Sequence, residues 1–236
     1  LLQKMFEKKL SSDSYSRLDC IDAFVLLTKY MADYMKIDKP FCVVEGIASE
    51  IDNSTRNENI NGLKNILYTG TLHKKFGILN LLEAFKQISD KDYRLIICGI
   101  GDSRDIIKKA AEEDPRIIYK GQLPREEILI LQREAAVLVN PRQANEEFTK
   151  YSFPSKNLEY LSSGIPVIAY KLEGIPDEYD PYIFYVKDNS IESLKEKLME
   201  VCECSDGFAY KKSIKAKDFV LKNKNEIAML KKEKLI

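Results

Sequence analysis

Three segments of this chain carry residues whose types and spacing could handle an anion. The most informative runs Asn145-Glu-Glu147-Phe-Thr-Lys-Tyr151-Ser152-Phe153-Pro154-Ser155-Lys156-Asn-Leu-Glu159-Tyr-Leu-Ser-Ser-Gly164. Pro154 suits the first turn of a helix, and Ser152 or Ser155 can accept from that helix's free N–H groups. Lys156 then falls in the first turn, where the macrodipole prefers an acid. A cation is better placed there if it shares the helix N-terminus with a bound phosphate. Glu159 lies three residues on and on the same face, so the two also read as a surface ion pair worth on the order of a few tenths of a kcal/mol.

The second segment is Gly70-Thr71-Leu-His73-Lys74-Lys75-Phe76-Gly77. Its glycines let backbone N–H groups approach an anion, and Lys74 or Lys75 adds charge; the same residues also serve as a plain strand-to-helix connection. The third, Gly99-Ile-Gly101-Asp102-Ser103-Arg104, has the first two glycines of a dinucleotide fingerprint but Arg104 in the third place. No ribose-binding acid follows one strand later, so it reads as a tight turn packing a helix on a sheet. Other chemistries find little support. Two thiols, Cys202 and Cys204, with one distant His73 cannot close a tetrahedral zinc site. That single histidine has no neighbour marking a nucleophile elbow.

The elements that must position these segments alternate regularly. Strands are predicted at 65–69, 93–98, 116–119, 136–140, 166–170 and 182–186. Helices are predicted at 77–89, 103–113, from about 124, at 154–163 and after Ile191. Strands apolar on both faces, separated by helices, mean a parallel sheet covered on both sides. The expected fold is therefore α/β, a doubly wound parallel sheet of Rossmann-like type, with ligands beyond the carboxyl ends of the strands. Ala23–Leu27, Lys29–Lys36 and Phe41–Val44 read as strand, helix and strand, the tail of another α/β unit. The predicted organisation is a remnant of a preceding domain at 1–48, a polar linker at 49–63, the Rossmann-like domain at 64–188 and C-terminal helices at 189–236. The Lys-rich stretch after Gly207 shows no clear core stripe and reads as solvated.

Composition sets the outer bounds. The chain has 236 residues with 37 basic and 37 acidic side chains. Zero net charge argues against nucleic acid as a partner, which would require a basic surplus. Apolar runs fall far short of the ~20 residues of a membrane span, and Leu1–Leu10, broken by Lys4, Glu7, Lys8 and Lys9, does not read as a signal peptide. Five scattered cysteines fit a reducing cytoplasm, with the inner face of the membrane as the alternative location. The absence of an initiator Met suggests processing or a piece of a longer protein.

Phe153-Pro-Ser-Lys156, Leu158-Glu-Tyr-Leu161 and Gly164-Ile-Pro-Val-Ile168 together resemble the donor-site signature of retaining GT-B glycosyltransferases, the group called family 4. Gly70 to Gly77 resembles that family's diphosphate loop, Gly99-Ile-Gly-Asp102 its second glycine turn, and Gly121-Gln122-Leu123 the segment that reads the nucleobase. Ala136 to Pro141 is similar to its last strand before the active loop. The resemblance covers about 64–188. It implies that a nucleoside-diphosphate sugar is the co-substrate, with no further cofactor and no metal, since lysines and a helix dipole take the metal's role. The implied donor-binding residues are Gly70, Thr71, Lys74, Lys75, Gly99, Gln122, Leu123, Ser152, Phe153, Ser155, Lys156 and Glu159, with Glu159 receiving the ribose hydroxyls.

The family's first glutamate should stand eight positions before Glu159, where this chain has Tyr151. Glu146 or Glu147 could supply a carboxylate instead, so Lys75 and Glu147 are the implied catalytic residues. Thr71 stands where the family has an arginine. The implied reaction moves a sugar to a hydroxyl acceptor, a glycan or lipid-linked molecule held mainly by a preceding domain. The abundance of Lys, Ile and Asn suggests an AT-rich bacterial genome and cell-surface polysaccharide synthesis. This chain would be a donor-binding half that does not transfer sugar alone. The rivals are a non-catalytic partner subunit, supported by Tyr151, an NAD-linked oxidoreductase, and an interaction module presenting the Lys-rich tail.

Overall fold

The computed structural model describes residues 20–48, 62–145, 147–205 and 207–233. Residues 1–19, nearly all of the expected linker and Glu146 therefore lie outside the described residues. Two short parallel strands, β1 (Phe24–Leu26) and β2 (Phe41–Val43), flank helix α1 (Tyr30–Met35).

The main body is a six-stranded parallel sheet. Its strands are β3 (Lys64–Thr69), β4 (Tyr93–Cys98), β5 (Ile117–Gly121), β6 (Val137–Asn140), β7 (Val167–Ala169) and β8 (Phe184–Tyr185), in the order β5-β4-β3-β6-β7-β8. This is the doubly wound arrangement, and the order reverses between β3 and β6, where such sheets open a crevice. The strands form because their residues are apolar on both faces: Ile66, Leu67, Leu95, Ile97, Val137 and Leu138 are fully buried. Each such side chain stabilises the fold by roughly 1.5–3 kcal/mol over its exposed state.

Helices cover both faces. These are α2 (Ile78–Lys86), α3 (Arg104–Glu113), α4 (Arg125–Glu134), α5 (Ser155–Ser163), α6 (Ile191–Cys202), α7 (Phe208–Asn223) and α8 (Glu226–Glu233). Helix α2 buries Ile78, Leu81, Leu82 and Phe85, an i, i+3, i+4, i+7 stripe, and packs on α6. The Lys-rich C-terminal stretch differs from the solvated pair expected of it. Helix α7 lies along α5 and buries Ala209, Ser213, Ala216 and Val220, a stripe of mostly small residues that a hydrophobicity pattern does not reveal. Ser213 Oγ donates to the Gly164 carbonyl at 2.7 Å, fixing α7 on the end of α5.

Candidate functional site

The crevice between β3 and β6 is built by two backbone approaches that only glycine permits. Gly77 has φ +78°, and a Cβ there would collide with the Pro141 carbonyl just beyond β6. Gly99 has φ +138°, and a Cβ there would run into the Gly70 carbonyl just beyond β3. The three strand ends are thereby drawn together. The Gly70 N–H is donated to Cys98 O at 3.0 Å and the Gly99 N–H to Gly121 O at 2.6 Å. The glycines therefore supply closeness of approach, and their own N–H groups are spent within the sheet end.

Helix α5 is pinned into the same crevice. Its buried Tyr160 hydroxyl accepts from the Thr69 N–H at 2.9 Å and lies 3.1 Å from Thr69 Oγ1. Asn140 at the end of β6 donates through Nδ2 to Asn157 Oδ1 at 2.7 Å. These two ties aim the α5 N-terminus, Ser155 and Lys156, at the loop after β3. Among the described residues no side chain caps that N-terminus. One of the two expected caps acts elsewhere: Ser152 Oγ donates to Phe148 O at 3.1 Å and accepts from Arg142 Nη2 at 3.0 Å.

Two adjoining cavities result. The first, about 270 Å³, is lined by Gly70, Thr71, Phe76, Arg142, Phe153 and Ser155 among others. The second, about 430 Å³, is lined by Gly99, Ile100, Gln122, Leu123 and Ile128. Thr69, Gly70, Thr71 and Lys156 stand on the walls of both. Cavities of ~300–1,000 Å³ are typical of small-molecule sites, and a sheet's switch point is a common place for them. Among the described residues, neither wall carries an acidic side chain.

Lys156 Nζ pairs with Glu159 at 2.9 Å, and Glu159 also accepts from Gln132 Nε2 at 2.7 Å. Glu159 thus sits one turn behind Lys156 and orients it; it lines neither cavity. Lys74 and Lys75 are exposed on a single 3-10 turn, Lys74–Phe76. The Lys74 N–H donates to Asp102 Oδ1 at 3.0 Å, and His73 Nδ1 lies 3.1 Å from Asp102. Partial burial would raise the Asp102 carboxyl, but the bonds from Lys74 N–H, His73 and Ser103 outweigh it and hold the carboxyl below its ordinary range. Asp102 therefore locks the second glycine turn to the first loop.

Of the two residues that the resemblance marks as catalytic, Lys75 holds its Nζ 5.3 Å from the Phe76 ring and 5.4 Å from the Phe148 ring. Glu147 is exposed on a short 3-10 turn, Glu147–Thr149, with Oε1 3.4 Å from the Tyr151 hydroxyl; it lines neither cavity. Tyr151 lies with its ring centroid 4.7 Å from that of Tyr34 on α1. An Asp-x-Asp triplet, of the kind that can hold a divalent metal, occurs at Asp90-Lys91-Asp92. It precedes β4 at the amino ends of the strands, with Asp90 paired to Lys64 at 3.2 Å, on the far side of the sheet from the cavities.

Sequence reasoning missed Arg142, Tyr160 and Asn140. Their signal is position alone: Asn140 and Arg142 follow directly on β6 at the switch point, and Tyr160 is one turn beyond Lys156 on α5.

Comparisons with known proteins agree with this architecture. No curated protein matches the chain in sequence. A glycosyltransferase from Rickettsia africae superposes with a TM-score of 0.74 at 18% identity, over 95% of this chain and 66% of that one. Staphylococcus aureus TarM, solved with UDP among its ligands, superposes with a TM-score of 0.71 at 16% identity, over 92% of this chain and 44% of that one. The C-terminal domain of a glycosyl transferase group 1 family protein, LpcC, from Francisella tularensis gives a TM-score of 0.58 at 20% identity, over 76% of this chain and 97% of that domain. The chain spans less than two thirds of the length of the larger structures it matches, 60%, 44% and 59% in three of them. The sheet and its covering helices are those of GT-B glycosyltransferase structures. The family model described as glycosyl transferases group 1 matches residues 50–219, and the chain belongs to that family.

Proposed function

We propose that this protein is the donor-binding part of a retaining GT-B glycosyltransferase that takes a nucleoside-diphosphate sugar. The observation that carries this reading is the pair of adjoining cavities at the β3/β6 switch point, sharing Lys156 and Thr71 on walls that hold no acid among the described residues. The nucleoside occupies the cavity beside Gln122 and Leu123. The diphosphate runs past Lys156 and the N–H groups at the start of α5 into the cavity beside Phe153. As the sugar leaves the diphosphate, negative charge grows on the departing phosphate, and a cation and helix N–H groups already aimed at it stabilise that charge. Transfer proceeds to a hydroxyl of a glycan or lipid-linked acceptor, in cell-surface polysaccharide synthesis. Val25 and Phe41 stand exposed on the β1–β2 pair and Leu27 just beyond β1, which supports reading the pair as the edge of a further, acceptor-side domain. The TarM structure, with UDP among its ligands, supports a nucleoside diphosphate as the ligand class.

Thermal or urea unfolding in the presence of UDP, GDP and ADP tests the reading. The diphosphate that fits stabilises the fold by about 2.7 kcal/mol at a hundredfold excess over its Kd. No stabilisation by any of the three sinks the proposal. A second reading, a subunit that binds nucleotide without turnover, is favoured by Tyr151, which packs on Tyr34, and by Glu147, which stands outside both cavities.

A further inference from the structure

We propose that Arg142 is the residue that grips the second, sugar-bearing phosphate of the donor, an inference that rests on the donor-site reading above. Its guanidinium carbon lies 4.4 Å from the Phe148 ring centroid and 5.2 Å from that of Phe76, so two aromatic rings hold it. Nη2 donates to Ser152 Oγ at 3.0 Å. Nε is shut off from solvent and has no partner. Among the described residues no carboxylate pairs with it. A desolvated guanidinium with one of its five N–H groups committed and no counter-ion is costly unless an anion completes it. The cost shows in the group itself, since burial pushes its pKa down to about 10 against a small raising influence of Tyr68.

The surroundings say which anion. Lys75 Nζ faces the same two rings as Arg142, so two like charges crowd one aromatic pair. Arg142 and Lys156 are the cationic side chains on the wall of the first cavity, whose uncharged members include Thr71, Asn140 and Ser155. Lys156 also lines the second cavity, whereas Arg142 lines the first alone. A ligand with its base beside Gln122 therefore meets Lys156 with its first phosphate and Arg142 with its second. The planar fork of Arg142 matches two oxygens of one phosphate, which a lysine cannot do.

The test is calorimetric titration of wild type, Arg142→Gln and Arg142→Lys with whichever of UDP, GDP or ADP binds, and with the matching monophosphate. Arg142→Gln is expected to weaken the diphosphate tenfold or more while changing the monophosphate less than threefold. Arg142→Lys, which keeps the charge and the stem against Phe148, is expected to recover part of the diphosphate loss. Equal effects on both nucleotides in the two variants, or no effect on the diphosphate in either, overturns the assignment and leaves the donor site standing. If wild type binds none of the three diphosphates, the donor-site reading falls and this inference with it.

Discussion

Replacing Lys224 with alanine is expected to destabilise the protein by about 3–5 kcal/mol, because it strips the counter-ion from a buried carboxylate. Lys224 caps the C-terminus of α7 and is 1% exposed. Its Nζ bonds to Glu45, just beyond β2, and to Glu178 at 2.5 Å, and stands 5.1 Å from the Tyr179 ring. The Tyr179 hydroxyl donates to Glu45 Oε1 at 2.8 Å, and the Ala48 N–H donates to Lys224 O at 2.7 Å. One ammonium thus joins the segment after β2, the turn before β8 and the last turn of α7. Without it Glu45, itself 1% exposed in its side chain, stays buried and uncompensated. Removing both charges together, Lys224→Met with Glu45→Gln, should recover much of the loss, since apolar replacement of a whole buried pair is often near neutral.

The pair also has a pH signature. Burial would raise the Glu45 carboxyl, but the bond to Lys224, its own backbone N–H, the Lys224 charge and the Tyr179 hydroxyl prevail and hold it below 4.5. A folded-state value below the unfolded one means the unfolded chain takes up protons first. The stabilisation is therefore present above about pH 4.5 and is lost as pH falls through the folded value. Urea midpoints measured downward from neutrality should show this decline in wild type and a flatter course in the double variant. A Lys224→Ala unfolding free energy within about 1 kcal/mol of wild type would count against the whole assignment.

Lys156→Ala is expected to weaken nucleoside-diphosphate binding about 10- to 150-fold, the range of one charge-assisted hydrogen bond of ~1.5–3 kcal/mol. The same change should barely move stability, because its pair with Glu159 is a partly exposed i,i+3 contact of the kind worth ~0–1 kcal/mol. Glu159 would remain held by Gln132. Calorimetry and urea unfolding on the one variant separate the two effects. Equal affinity would remove Lys156 from the site.

The strands and α5 were legible because apolar runs on both faces, a Pro at 154 and a Gly at 164 leave few alternatives. Predicted and observed β4 coincide at Tyr93–Cys98. The switch-point crevice followed from the strand–helix alternation. Arg142 was not legible: it lies in a polar stretch without periodicity, and the ring of Phe76 reaches it from a distant loop while Phe148 and Ser152 reach it only because their own loop folds back. Lys224 was hidden for a similar reason. It sits among many lysines, and its partner Glu45 is 179 positions away in the chain. The stripe of α7 escaped notice because Ala209, Ser213 and Ala216 carry little hydrophobic signal of their own.

The central claim is that a diphosphate lies between the loop after β3 and the start of α5. Backbone amide NMR during titration with the diphosphate that stabilises the protein tests it most directly. The N–H signals of Thr71, Ser155 and Lys156 should shift together and saturate with the calorimetric Kd, with Gln122 and Leu123 following the base. Saturating shifts confined to other parts of the molecule, or none at these amides, would contradict the account.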